Sequence, residues 1–154
     1  MPMTEFIDAN AIMSSLRVNT KKQAFQEIAE RAARVSGLGE REIFDALWQR
    51  EKLGSTGVGN GVAIPHCKLT RAGRMFGIVA QLDQPIDFEA TDGAPVDLIF
   101  ALIAPESAGA DHLKALSQIA RTLRSAGIAK MLRAARDPEA IYTLLTDSPR
   151  SDAA

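Results

Sequence analysis

The stretch from Val96 to Ile103 limits most what this chain can become. It is apolar except for Asp97 and closes on Ala104-Pro105. A run without a polar face reads as a central strand, buried on both sides, and such strands lie inside sheets that helices cover on both faces. The longest uninterrupted apolar run, Leu98 to Ala104, is far short of the ~18–20 residues that cross a bilayer. A second apolar run, Phe76 to Leu82, precedes it. Ile86 and Phe88 then alternate with Asp87 in a period of two, and Asp92-Gly93 marks a turn.

Helical patterns flank these strands. Thr20 and Gln23 have capping-box spacing, Ala24, Ile28, Ala32 and Val35 share one face, and Gly37 is placed to end the helix. A second helix is expected over 40–53, with Ile43, Phe44, Leu47 and Trp48 inward and Arg50 near its C-terminal end, where a cation is favoured. After the strands, Asp111 is expected to cap a helix from His112 to Arg124 with Leu113, Leu116, Ile119, Ala120 and Leu123 inward, ended by Gly127. A short helix over 128–135 follows. Asp137-Pro138 then starts a last one through Leu145. Helices, strands and helices again predict an α/β fold: a three-layer α/β/α sandwich with a mixed β-sheet flanked by helices. A chain of 154 residues favours one domain, expected over 5–146. Residues 147–154, polar and small with Pro149, are expected to form a flexible tail.

The chemistry gathers at residues 54–69, Gly-Ser-Thr-Gly-Val-Gly-Asn-Gly-Val-Ala-Ile-Pro-His-Cys-Lys-Leu. Four glycines in eight positions let peptide N–H groups converge into an anion-binding concavity. Pro65 fixes its own φ and pushes Ile64 towards an extended conformation, so His66 has a stiff mount. A neutral imidazole keeps one lone pair for attack on phosphorus if its other nitrogen carries the proton and is held by an acceptor. The plain alternative is a loop histidine that is packed or solvated.

The run from Arg50 to His66 resembles the active-site signature of the enzyme IIA domains of the bacterial phosphotransferase system, of the fructose/mannitol/nitrogen type. Asp111-His112-Leu113-Lys114-Ala115-Leu116 resembles that family's second histidine at a helix start. The resemblance covers roughly 5–146. Cys67 departs from it, standing where the family often has glycine or alanine. The resemblance implies a phosphohistidine relay in which His66 takes a phosphoryl group on Nε2 from an HPr-like phosphocarrier. The residues alone do not choose between the two ring nitrogens. His112 is expected to donate a hydrogen bond to the phosphoryl oxygens, since a helix N-terminus attracts phosphate; its alternative is a solvated residue in a first turn. Arg50 is expected to offset phosphate charge with its guanidinium fork; its alternative is a surface ion pair. Ser55, Thr56 and Asn60 are expected either to bind phosphate or to shape the loop.

The branch it most resembles is the nitrogen-regulatory enzyme IIA, given the chain's length and Pro-His-x-Lys-Leu after the strand. That branch implies nitrogen, carbon or potassium regulation through target proteins. The alternatives are the IIA component of a fructose- or mannitol-type permease, which passes phosphate to a IIB domain, and a binding module that has lost transfer. Gly57-x-Gly59-x-Gly61 is no dinucleotide fingerprint, because Val62-Ala63-Ile64-Pro65 stands where a helix should begin, and no P-loop Gly-Lys-Ser/Thr follows. A metal site of His66, Cys67, Asp111 and His112 is disfavoured, because neighbours on an extended segment point to opposite faces. A Cys67–His112 thiol hydrolase lacks any context for the nucleophile. No cofactor or metal is expected. A net charge of −1 gives no basic face for nucleic acid. A single cysteine, and Glu5 and Asp8 interrupting any early apolar run, suit a cytoplasmic protein without membrane insertion.

Overall fold

The computed structural model describes residues 2–147. Its centre is a six-stranded mixed sheet in the order β1-β5-β6-β3-β2, with β4 also paired to β6 beyond β3. The strands are β1 (Ile12–Leu16), β2 (Gly57–Gly59), β3 (Val62–Ala63), β4 (His66–Leu69), β5 (Phe76–Ile86) and β6 (Val96–Pro105). The long apolar run is indeed the middle of the sheet: β6 pairs antiparallel with β5 and parallel with both β3 and β4. Alternation assigns each strand residue to a face. Ile99, Ala101 and Ile103 join one core with Ile78, Ala80 and Leu82; Leu98, Phe100 and Leu102 join the other with Val79.

Helices cover both faces. The first layer is α1 (Lys21–Ser36) and α2 (Glu40–Lys52), burying Phe25, Ile28, Ile43 and Leu47. Phe44 and Trp48 pack at its margin, partly exposed and stacked with ring centroids 5.7 Å apart. The second layer is α3 (Ala110–Arg124), α4 (Ala126–Ala134) and α5 (Pro138–Asp147), burying Ile119, Leu123, Leu132, Ile141 and Leu145. The expected caps of α1 are present: Thr20 Oγ1 accepts from the Gln23 amide at 3.1 Å, and Gly37, at φ 78°, donates to the Ala33 carbonyl. Asp137 Oδ1 accepts from the Ala140 amide at the start of α5.

Three boundaries differ from the sequence reading. Gly109, at φ 54° and ψ −122°, is the residue before α3, so the helix begins at Ala110 and Asp111 lies in its first turn instead of capping it. A carboxylate there still complements the helix dipole. Leu113, expected inward, is exposed, and the inward face starts with His112 and Ala115. The break after Arg124 comes from Ser125, whose ψ of 118° leaves the helical region, and Gly127 lies inside α4. The last helix runs through Asp147, into the span expected as tail. The rest of that tail lies outside the described residues.

Candidate functional site

Strand register decides where His66 faces. His66 pairs with Leu102 and Cys67 with Ile103. Leu102 belongs to the core under α3–α5 and Ile103 to the core under α1 and α2. His66 therefore looks towards α3 and Cys67 away from it. In the first turn of α3, His112 is 94% removed from solvent. The two rings meet with centroids 5.7 Å apart, inclined at 62°.

The His66 ring is half-buried, and its Nδ1 lies 2.9 Å from the Ile64 carbonyl oxygen. A carbonyl only accepts, so Nδ1 carries a proton, and in the neutral ring Nε2 keeps its lone pair. Two further bonds hold the segment below the ring. The Ile64 amide donates to the Thr56 carbonyl at 3.0 Å, and the Leu102 amide donates to the Pro65 carbonyl at 2.9 Å. His112 Nε2 is the one buried side-chain nitrogen or oxygen among the described residues without a hydrogen-bond partner. A polar atom left so in a folded protein costs free energy unless a ligand satisfies it. Desolvation holds the His112 pKa below the ordinary histidine value, with smaller contributions in the same direction from His66 and Lys68. Lys68, two residues beyond His66 on β4, shares its face.

The other candidates sit at varying distances from this pair. Arg50 donates from Nη1 to the Gly54 carbonyl at 2.9 Å and has no hydrogen bond to either histidine among the described residues. Ser55 Oγ donates to the Phe88 carbonyl and accepts from the Gly57 amide. Thr56 gives both its amide and its hydroxyl to the Glu51 carboxylate, at 3.0 and 2.5 Å. These are contacts that shape the loop. Asn60, at φ 56°, and Gly61, at φ 79°, form the tip of the β2–β3 hairpin, a backbone pair suited to a type I′ turn. The Asn60 amide donates to Asp92 and its carbonyl accepts from Arg133. Val62 pairs with Leu98 and His66 with Leu102, so the tip lies four strand residues down β6, about 13 Å from the His66 level.

Glu51 had no role in the sequence reading. Its side chain is 2% exposed and ion-paired at 2.8 Å with Lys21, whose ammonium also sits 4.7 Å above the Phe88 ring. The spacing 43, 47, 51 carries a signal for it: Glu51 continues the buried stripe of Ile43 and Leu47, and an acid on an apolar stripe needs a partner. Burial pushes the Cys67 thiol up to about 12. It also faces the opposite side of β4 from His112, so the thiol-hydrolase alternative fails on protonation and on geometry. No group of three or more metal-ligating side chains occurs among the described residues, and no helix there is long and apolar enough to cross a membrane.

Comparison with known proteins bears on this arrangement. Residues 5–148 match the family described as "Phosphoenolpyruvate-dependent sugar phosphotransferase system, EIIA 2". The chain belongs to that family. It is 58% identical to a nitrogen regulatory protein of Bradyrhizobium diazoefficiens, over 99% of this chain and all of the relative. It is 40% identical to one of Escherichia coli K12, over 96% and 91%. The crystal structure of nitrogen regulatory protein IIA-Ntr from Neisseria meningitidis superposes with a TM-score of 0.88 at 37% identity, covering 92% of this chain and 97% of that one. The EIIA fold thus has the α/β layers expected from the strand and helix patterns.

Proposed function

We propose that this EIIA protein is a phosphohistidine relay whose acceptor is Nε2 of His66. One observation carries the reading: the Ile64 carbonyl accepts Nδ1–H, which leaves Nε2 of the neutral ring unprotonated, in a ring whose centroid lies 5.7 Å from that of His112 with its buried, unpartnered Nε2. An HPr-like phosphocarrier brings the phosphoryl group on its own histidine. The His66 lone pair forms the new N–P bond as the donor's N–P bond breaks, and the donor imidazole leaves with that electron pair. The protein's part in such a step is to position the reactants and offset charge on the equatorial oxygens. His112, kept neutral by burial, donates Nε2–H to one of those oxygens. Arg50 reaches them by giving up its bond to Gly54. The Nδ1 proton stays on the phosphorylated ring, held by Ile64, and makes the imidazole a better leaving group for onward transfer.

Exposed Leu113, 67% accessible and next to His112, supplies an apolar contact for the visiting carrier. The relatives named nitrogen regulatory proteins support a regulatory output in nitrogen balance; the proposal extends it to carbon or potassium balance in the cytoplasm, through target proteins that discriminate the charged and uncharged forms. A phosphoryl group adds nearly two negative charges and several acceptors, enough to make or block such a contact. The family's sugar-system name supports a second reading, a permease component that hands phosphate to a IIB domain. A growth defect on fructose or mannitol after deletion would favour that role. Incubation with phosphoenolpyruvate, enzyme I and the cognate carrier, followed by intact-mass measurement, tests the relay itself. Wild type gains one phosphoryl group and His66→Ala gains none; equal labelling of both refutes the assignment.

A further inference from the structure

The structure points to a positioning role for Glu51: we propose that it sets which nitrogen of His66 carries the proton, acting through Thr56 and Ile64. The contacts form one chain. Lys21 Nζ holds the Glu51 carboxylate at 2.8 Å. That carboxylate accepts both the amide and the hydroxyl of Thr56. The Thr56 carbonyl accepts the Ile64 amide at 3.0 Å, and the Ile64 carbonyl accepts Nδ1–H of His66 at 2.9 Å. Every link from Glu51 to Ile64 is buried, so water does not compete for these groups.

Backbone geometry shows why the far end of this chain matters. The carbonyl that selects the tautomer belongs to the Ile64–Pro65 peptide. Its orientation turns on ψ of Ile64 and φ of Pro65, and the pyrrolidine ring fixes the latter. Ile64 is anchored at its amide by Thr56, and Pro65 at its carbonyl by the Leu102 amide. With β6 rigid at the centre of the sheet, the Thr56 anchor is the adjustable one, and Glu51 holds it by two bonds. The same two bonds also satisfy a buried carboxylate, so stability does not separate the roles and the His66 tautomer is the readout that does. Loosening that grip lets the Ile64 carbonyl turn away, and His66 then redistributes its proton towards Nε2–H, the form without a lone pair on the attacking nitrogen. The consequence for rate rests on the reading of His66 as acceptor. The consequence for the tautomer does not.

The experiment reads the tautomer directly, by 15N NMR of the His66 ring at a pH where it is neutral. Wild type shows Nδ1–H. Thr56→Val deletes the hydroxyl bond at nearly constant volume, and its Nε2–H population relative to Nδ1–H rises roughly two- to tenfold, the shift that one ordinary hydrogen bond supports. Thr56→Ser restores the hydroxyl and returns the ratio towards wild type. Phosphoryl acceptance by Thr56→Val slows at saturating carrier, with the half-saturating carrier concentration unchanged. Should Thr56→Val not fold, Glu51→Gln, which keeps the volume and removes the charge, gives the same comparison. A tautomer ratio that stays at the wild-type value in a folded variant overturns the proposal, as does Nε2–H in wild type. Failure of wild-type His66 to accept phosphate, with the tautomer shift present, would overturn the relay and leave the positioning chain standing.

Discussion

Replacing Lys21 with methionine should destabilise the fold by about 3 kcal/mol, the low end of the cost of breaking a buried ion pair from one side. The magnitude follows from what each partner would lose. Glu51 is 2% exposed at its side chain and Lys21 12%, so solvent cannot replace the ammonium. The carboxylate keeps its two bonds from Thr56, which holds the cost at the low end. Methionine replaces the cation–π contact with Phe88, at 4.7 Å, by a sulfur–aromatic contact of about 0.3–1.5 kcal/mol, so the total stays at about 3 kcal/mol. The pair with Glu89, at 3.7 Å, has a 79% exposed carboxylate and adds close to nothing. For a chain of this length about 3 kcal/mol lowers the melting temperature by roughly 6–12 °C. Urea unfolding, followed by far-UV circular dichroism and by Trp48 fluorescence to check two-state behaviour, measures the difference. The double variant Lys21→Met/Glu51→Gln removes the stranded charge and should recover more than half of the loss. A single-variant cost below about 1 kcal/mol, in the range of surface pairs, together with additive behaviour in the double variant, would refute the reasoning.

Other perturbations separate the parts of the site. His112→Gln should still be labelled on His66 but about 100-fold more slowly, comparable to losing one donor to developing oxyanion charge; rapid-quench labelling checks this. His112 also makes stability depend on pH. Its folded pKa is depressed, so the unfolded chain takes up a proton near about 6.5 while the folded chain resists. The unfolded state thus binds more protons, and stability falls as pH drops through that value. Urea midpoints from neutral pH down to about 5 should decline more steeply for wild type than for His112→Gln. Gly61→Ala places a Cβ 2.6 Å from Arg133 Nη2 at φ 79° and should cost about 2 kcal/mol. Its labelling rate should match wild type, since the hairpin tip lies at the other end of β3 from His66.

How much of this was legible in the sequence depended on how local each signal was. The α1 caps, the start of α5 and the central strand rest on residues within a few positions of one another, and these agree with the structure. β1 went unread because Ser14 and Ser15 interrupt its apolar pattern, and Ser15 takes φ 50° where its amide bonds to Gln81 across the sheet. The start of α3 was misplaced by two residues because Asp111 is a stronger capping signal than Gly109, whose positive φ is visible only in the fold. Alternation along β4 was enough to separate Cys67 from His66. That His66 faces α3 needed the register with β6. The separation of Asn60 from the histidines and the burial of Glu51 likewise depend on long-range packing, although a charge continuing the Ile43–Leu47 stripe was a clue in plain view.

The central claim is that His66 offers an unprotonated Nε2 to an incoming phosphoryl group. The position of phosphate on 15N-labelled protein, read by long-range 1H–15N correlation after charging by the cognate carrier, tests it most directly. The N–P bond should appear on Nε2 of His66, with Nδ1 still protonated or hydrogen-bonded to Ile64. A phosphoryl group on Nδ1 of His66, or on His112, would contradict the account.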